Sequence, residues 1–150
     1  MSSNSLNNPN MIYIGIDPGS NTGIAFWNKS KKELRLHQFK NHCTGMLFLY
    51  NLLLTSIDAK EVKLIIEDAR KAKKRPDLKK VNAGKAQGVG YVKAYSKDWE
   101  AFCKLQKVPY ELRAPANTKA SPEYFEKLTG MKTTKTQSHM RDAGMMVYGR

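Results

Sequence analysis

Only two cysteines occur among 150 residues, Cys43 and Cys103, far apart and in no CxxC pair. That argues against a disulfide framework or a zinc site and leaves two reduced thiols expected to pack like small apolar side chains. Long apolar runs are missing too: the longest, Met46 to Leu54, is broken by Asn51 and too short to span a bilayer. Met1 to Asn10 is rich in Ser and Asn and has no apolar core, so it reads as a disordered extension, neither signal peptide nor anchor. No repeat and no domain boundary interrupts residues 11–150, a length that suits one domain around one core. A soluble, cytoplasmic protein is expected. Acids are scarce as well: 13 Asp+Glu against 26 Lys+Arg give a formal net charge of +13 at pH 7. Such a field attracts polyanions, of which nucleic acid is the commonest in the cytoplasm. No basic amphipathic helix is available to favour a membrane surface instead.

What is present begins with Ile12-Tyr13-Ile14-Gly15-Ile16-Asp17, followed by Pro18-Gly19-Ser20-Asn21 and the apolar stretch Thr22 to Trp27. A β-branched run ending in an acid and a turn describes a core strand that delivers a carboxylate to the edge of a sheet, then a hairpin. Ile12, Ile14 and Ile16 share one side of the pleat; Tyr13, Gly15 and Asp17 share the other. Glycine at position 15 leaves room on the acid's side for another backbone or a ligand.

A second strand pattern, Val62-Lys63-Leu64-Ile65-Ile66-Glu67, ends in an acid and is followed by Asp68. Alternation along the strand turns Asp68 away from Glu67. Immediately beyond lie Arg70, Lys71, Lys73, Lys74, Arg75, Lys79, Lys80 and Lys85, interrupted by Pro76 and opposed only by Asp77. A Pro-broken basic stretch with few apolar residues cannot pack a core, and is expected to be a mobile loop that orders against phosphates. Acids beside such a loop suit a metal site acting on a phosphodiester, where the loop holds the backbone and carboxylates hold the ions that polarise it.

The scaffold follows from the remaining patterns. Glu33 to Phe39 reads as a third strand and Val108 to Arg113 as a fifth. Thr44 to Ile57 reads as a helix with Met46, Leu47, Tyr50, Leu53, Leu54 and Ile57 on its buried side. Gly84 to Gln106 reads as a long helix with Tyr91, Tyr95, Trp99 and Phe102 in a stripe that belongs to the core or to a subunit interface. Ser121 to Leu128 is a short helix with Ser121 as its N-cap, and Gln137 to Tyr148 a terminal one. The order β-β-β-α-β-α-β-α-α implies an α/β fold, a five-stranded mixed sheet of antiparallel meander plus parallel strands with helices on its faces. In the terminal helix His139 and Asp142 are three apart and project from one face, while Ala143 and Gly144 would let the helix lie close against the sheet. An unpaired acid buried there is costly, which a metal would explain.

Taken together, Gly15-Ile16-Asp17-Pro18-Gly19-Ser20 with Thr22-Gly23, Ile65-Ile66-Glu67, and His139-x-x-Asp142-Ala143 resemble the RuvC-type Holliday junction resolvases of bacteria and their phages, in the RNase H-like (retroviral-integrase) superfamily. The resemblance runs from Met11 onward. It implies that Asp17 is the first-strand acid shared by two metal ions, Glu67 the fourth-strand acid and Asp142 the acid of the terminal helix. His139 falls where some members carry histidine and others aspartate, as a ligand or a proton carrier. Lys119 corresponds to a lysine that would hold the scissile strand. The chain departs from the family in its long Lys-rich loop and in the extra acid Asp68. The implied activity is Mg²⁺-dependent cleavage of branched DNA with two ions, Mn²⁺ substituting, leaving 5′-phosphate and 3′-hydroxyl ends. Paired nicks in a four-way junction imply a two-fold homodimer, with Gly84-x-x-x-Gly88-x-Gly90 either at its interface or packed on the chain's own sheet. The alternative is a non-catalytic protein of the same fold that binds branched DNA or RNA; it predicts a missing carboxylate, and none is missing. A sugar-kinase or actin-like ATPase would need two such domains.

Overall fold

The computed structural model describes residues 8–72 and 83–150, apart from the side chains of Lys85 and Ala86. Its elements are β1 (Ile12–Asp17), β2 (Thr22–Asn28), β3 (Glu33–Phe39), α1 (His42–Thr55), β4 (Val62–Glu67), α2 (Ala83–Gln106), β5 (Tyr110–Arg113), α3 (Pro122–Thr129) and α4 (Ser138–Val147). The strands form one sheet in the order β3-β2-β1-β4-β5. β1, β2 and β3 pair antiparallel as a meander, while β4 lies parallel to β1 and β5 parallel to β4. This is the expected five-stranded mixed sheet. Residues 8–10 form a turn into β1, and residues 1–7 of the expected extension lie outside the described residues.

Local chemistry fixes the turns. The Thr22 hydroxyl donates to the Gly19 carbonyl at 2.9 Å and closes the loop after Asp17. Asn41 caps α1 by accepting from the Thr44 amide at 2.8 Å. Ser121 caps α3 as expected, accepting from the Tyr124 amide at 3.1 Å.

The two sides of the pleat build two apolar layers. Ile14, Ile16, Ile24, Leu64 and Ile66 are buried with Leu49 of α1 and with Trp99 and Cys103 of α2. Tyr13, Ala25, Trp27 and Ile65 are buried on the other side with Ala143 and Val147 of α4. Each large aliphatic side chain so buried contributes about 1.5–3 kcal/mol relative to exposure.

Several expectations need correction. α1 is rotated from the expected stripe: Met46, Leu53 and Ile57 pack on the core as expected and Gly45 and Leu49 are buried, whereas Leu47, Tyr50 and Leu54 are exposed. A helix without a single charged residue gives the apolar pattern no polar side to define its rotation. The α2 stripe buries Trp99 and leaves Tyr91 exposed. Cys103 is a core residue as expected, but Cys43 is exposed. Val108 is buried ahead of β5 and stands outside the strand, which begins at Tyr110. Gly88 and Gly90 do not pack on the sheet; a Cβ on either would meet nothing within 4 Å among the described residues. No helix among the described residues is long and apolar enough to cross a membrane.

Candidate active site

Backbone register brings the first two acids together. Ile16 of β1 pairs with Ile66 of the parallel β4, so Asp17 and Glu67 follow side by side at the same end of the sheet. Both face α4, sharing the side of the pleat that carries Tyr13, Gly15 and Ile65. α4 reaches them because two glycines let it lie on the strands. A Cβ at Gly15 would collide with the Ala143 carbonyl, and one at Gly23 with the His139 carbonyl and the Met140 amide. The space left by Gly15 is thus filled by backbone. Gly144 serves the same closeness from the helix side, since a Cβ there would stand 3.0 Å from Leu36 and from Phe125.

With α4 so placed, His139 Nδ1 lies 3.0 Å from Asp17 Oδ2. One turn on, Asp142 Oδ2 lies 3.3 Å from Lys119 Nζ, which is also 3.2 Å from Glu67 Oε2. The Lys119 ammonium therefore stands between two carboxylates of different elements. Asp17, Glu67, His139, Asp142 and Lys119, named from the sequence as site residues, come together in space. Their side chains are mostly buried, Asp17 at 8%, Asp142 at 11% and Glu67 at 16% exposed, with His139 and Lys119 more open.

Crowding of charge sets the electrostatics. Burial raises the Glu67 carboxyl above its usual range and the Asp17 charge adds to this, against the opposing pull of Lys119. Asp142 is raised too, first by burial and then by Asp17, again against Lys119. His139 is raised by its hydrogen bond to Asp17, which outweighs burial. Burial works to lower Lys119, but Glu67, Asp142 and Asp17 together raise it. Carboxylates crowded until they hold their protons more tightly than usual suit a divalent cation, which would relieve that repulsion. As the side chains stand, no three His, Cys, Asp or Glu groups among the described residues are placed to hold one ion, and Lys119 supplies the positive charge between Glu67 and Asp142.

A cleft of about 230 Å³ opens beside this cluster, walled by Glu67, Lys119, Asp142, Arg113, Met145 and Met146. A larger one, about 350 Å³ and lined by Ile12, Phe26, His37, Phe48 and Leu52 among others, lies on the opposite face of the sheet and contains none of these residues.

The expected phosphate-binding residues divide. Arg70 is already engaged: its Nε and Nη2 reach Asp68 at 2.8 and 2.9 Å and Nη2 reaches Glu100 at 3.0 Å. Burial works to raise Asp68, and the Arg70 hydrogen bonds more than reverse it. Asp68 thus stays out of the site, as alternation along β4 required. Arg70, expected to bind phosphate, is here bonded to Asp68 and Glu100 at the root of the basic stretch. Lys71 Nζ donates to the Leu112 carbonyl at 3.3 Å. Lys73, Lys74, Arg75, Lys79 and Lys80, and the side chain of Lys85, lie outside the described residues.

Two residues around the site went unassigned in the sequence. Gln38 of β3 steadies the start of α4, accepting from the Met140 amide at 3.2 Å and donating to the Thr136 carbonyl at 2.8 Å. Arg141 is 5% exposed and bonded to Ala120, Thr133 and Thr134. An arginine inside an otherwise apolar helical stripe was the available signal.

No family model and no curated protein matches this chain. Among solved structures, Thermus thermophilus RuvC in complex with a Holliday junction substrate superposes with a TM-score of 0.54 at 16% identity, over 89% of this chain and 88% of that one. The fold is RuvC-like. In the RuvC-like arrangement seen here, β1, β4 and α4 each contribute to one cluster at the sheet end, and the 119–120 segment closes it.

Proposed function

We propose that this protein is a metal-dependent endonuclease that cuts branched DNA and resolves four-way junctions by paired symmetric nicks, acting as a homodimer. One observation carries the reading: Asp17, Glu67 and the His139/Asp142 pair, from three elements far apart in sequence, meet at one end of the sheet, with the Lys119 ammonium between Glu67 and Asp142. The positive charge of the chain, and the basic stretch rooted next to Glu67, give the cluster a polyanionic substrate. The likeness to a RuvC bound to a Holliday junction directs the choice of substrate to branched DNA.

Asp17, Glu67, Asp142 and His139 would hold two Mg²⁺ ions, with Mn²⁺ as a substitute. Bound there, the ions supply Lewis acidity that activates water and stabilises the leaving 3′-oxygen. Asp17 keeps His139 Nδ1 engaged, which leaves Nε2 as the nitrogen free to exchange a proton or to ligate. Lys119 gives up its place between Glu67 and Asp142 and offers its ammonium to the phosphate of the scissile strand. Basic residues from Lys71 onward hold the backbone by charge and without reading bases, so selection rests on branch shape. Two symmetric nicks require two such clusters, which a two-fold dimer provides.

The deciding experiment is a side-by-side cleavage assay on four-way, three-way, flap and linear duplex DNA, with Mg²⁺ and with Mn²⁺. Nicking of the branched substrates alone is expected, with ends that ligate. Asp17→Asn should lower the rate by about a thousandfold or more, given the several kcal/mol that charge stabilisation at a metal supplies, and should leave junction binding intact. Binding without cleavage by the unmodified protein in both metals would favour the non-catalytic reading.

A further inference from the structure

Arg141 is a buried cation with a peculiar set of partners. Its Nε donates to the Ala120 carbonyl at 2.8 Å, and Nη1 donates to the Thr133 hydroxyl at 3.1 Å and the Thr134 carbonyl at 2.9 Å. All three acceptors are neutral oxygens, and among the described residues no carboxylate forms an ion pair with it. A buried guanidinium that no carboxylate hydrogen-bonds is costly, and Asp142 beside it acts on it only through space. What only the planar fork achieves is to tie two separate loop segments to one helix at once.

The segments matter. Consecutive residues of α4 each hold one of two consecutive residues of the loop after β5: Arg141 holds the Ala120 carbonyl at 2.8 Å, and Asp142 holds the Lys119 ammonium at 3.3 Å. The other bonds run to the connection between α3 and α4, just ahead of His139.

We propose that Arg141 is the positioning residue that keeps Lys119 at the Glu67/Asp142 pair, so that the lysine competes with metal there when the site is empty of substrate and lies within reach of the scissile phosphate when it is not. This rests on the nuclease reading above. Arg141 itself acts through the backbone of residue 120.

The test is built on Arg141→Lys, which keeps the positive charge and loses the three-way fork, with Arg141→Met as the charge-free companion and Lys119→Met as the reference. Mn²⁺ binding, followed by calorimetry or by the electron paramagnetic resonance of the free ion, is read alongside cleavage of a four-way junction. Lys119→Met and Arg141→Lys should both bind Mn²⁺ more tightly, by up to about tenfold, the scale of indirect effects on metal sites, while cutting more slowly. Placed in the Lys119→Met background, Arg141→Lys should change neither quantity further. A merely structural arginine would move metal affinity the other way, by loosening α4. Unchanged or weaker Mn²⁺ binding in Arg141→Lys overturns the proposal. So does a gain confined to Arg141→Met, which assigns the effect to charge alone, and so do additive effects in the double variant. If the unmodified protein neither binds Mn²⁺ nor cuts, the nuclease reading has failed. The tie is then judged by hydrogen exchange: faster exchange of amides 118–121 in Arg141→Lys, with the rest of the sheet unchanged, supports it, and equal exchange refutes it.

Discussion

The contact between Asp17 and His139 makes this site sensitive to pH in a defined direction. His139 is raised above the ordinary value of about 6.5 by that hydrogen bond. Its contribution to the stability of the metal-free protein is therefore complete below about pH 6.5 and is lost as pH rises through the folded value. Glu67 and Asp142, raised chiefly by burial, carry the same sign in a lower window that opens at ordinary carboxylate values. On the proposed reading, metal binding would work against all three, because ligands must shed their protons. Mn²⁺ binding should thus release protons, more of them near pH 6 than near pH 8, measurable by calorimetry in buffers of different ionisation enthalpy. Proton-independent binding would remove His139 from the ligand set. Asp17 and Glu67 were legible because an acid that closes an apolar strand has one place to go. The partners of Arg141 were not, since carbonyl and hydroxyl oxygens follow no spacing. Arg70 shows the converse: composition does not separate an arginine clamped by Asp68 and Glu100 from one free to meet phosphate.

At the scale of elements, the seat of α4 on β1 and β2 is the decisive contact. Gly23 lies beneath the His139 carbonyl with no space for a side chain. Gly23→Ala should push the helix away, costing about 1–3 kcal/mol as overpacking does, and should cut the cleavage rate out of proportion by shifting His139 and Asp142. Gly90→Ala, in open surroundings on α2, should be neutral or stabilising by up to about 1 kcal/mol. Urea denaturation of the two variants makes the comparison, and equal stability would show that α4 yields without strain. Sequence reasoning found the five strands and four α-helices from their periods, turns and caps, and missed the 3-10 turns at Ala59–Glu61, Ala69–Lys71 and Lys135–Gln137. It was half right on the rotation of α1, where apolar residues lie on every side and the neighbouring strands decide which of them are buried.

For the whole molecule the relevant quantity is net charge. On the proposed reading, a formal +13 on 150 residues would make DNA binding depend strongly on salt. Replacing Lys73, Lys74 and Arg75 together by Ala should flatten the slope of log affinity against log salt by up to about three, close to one for each lost phosphate contact. An unchanged slope would place DNA elsewhere on the surface. Sequence composition made the charge visible, although which lysines would meet phosphate depends on the path of a stretch with no periodicity to read.

The seat of α4 also sets an order of events. His139 lies 122 positions beyond the aspartate it contacts, so during synthesis β1 and β4 leave the ribosome long before their partner helix exists. An unfinished chain carries Asp17 and Glu67 with nothing yet to complete the cluster. On the proposed reading, the ability to cut arrives only when the final helix settles over its two glycines, which makes completion of the fold the safeguard against premature damage to DNA.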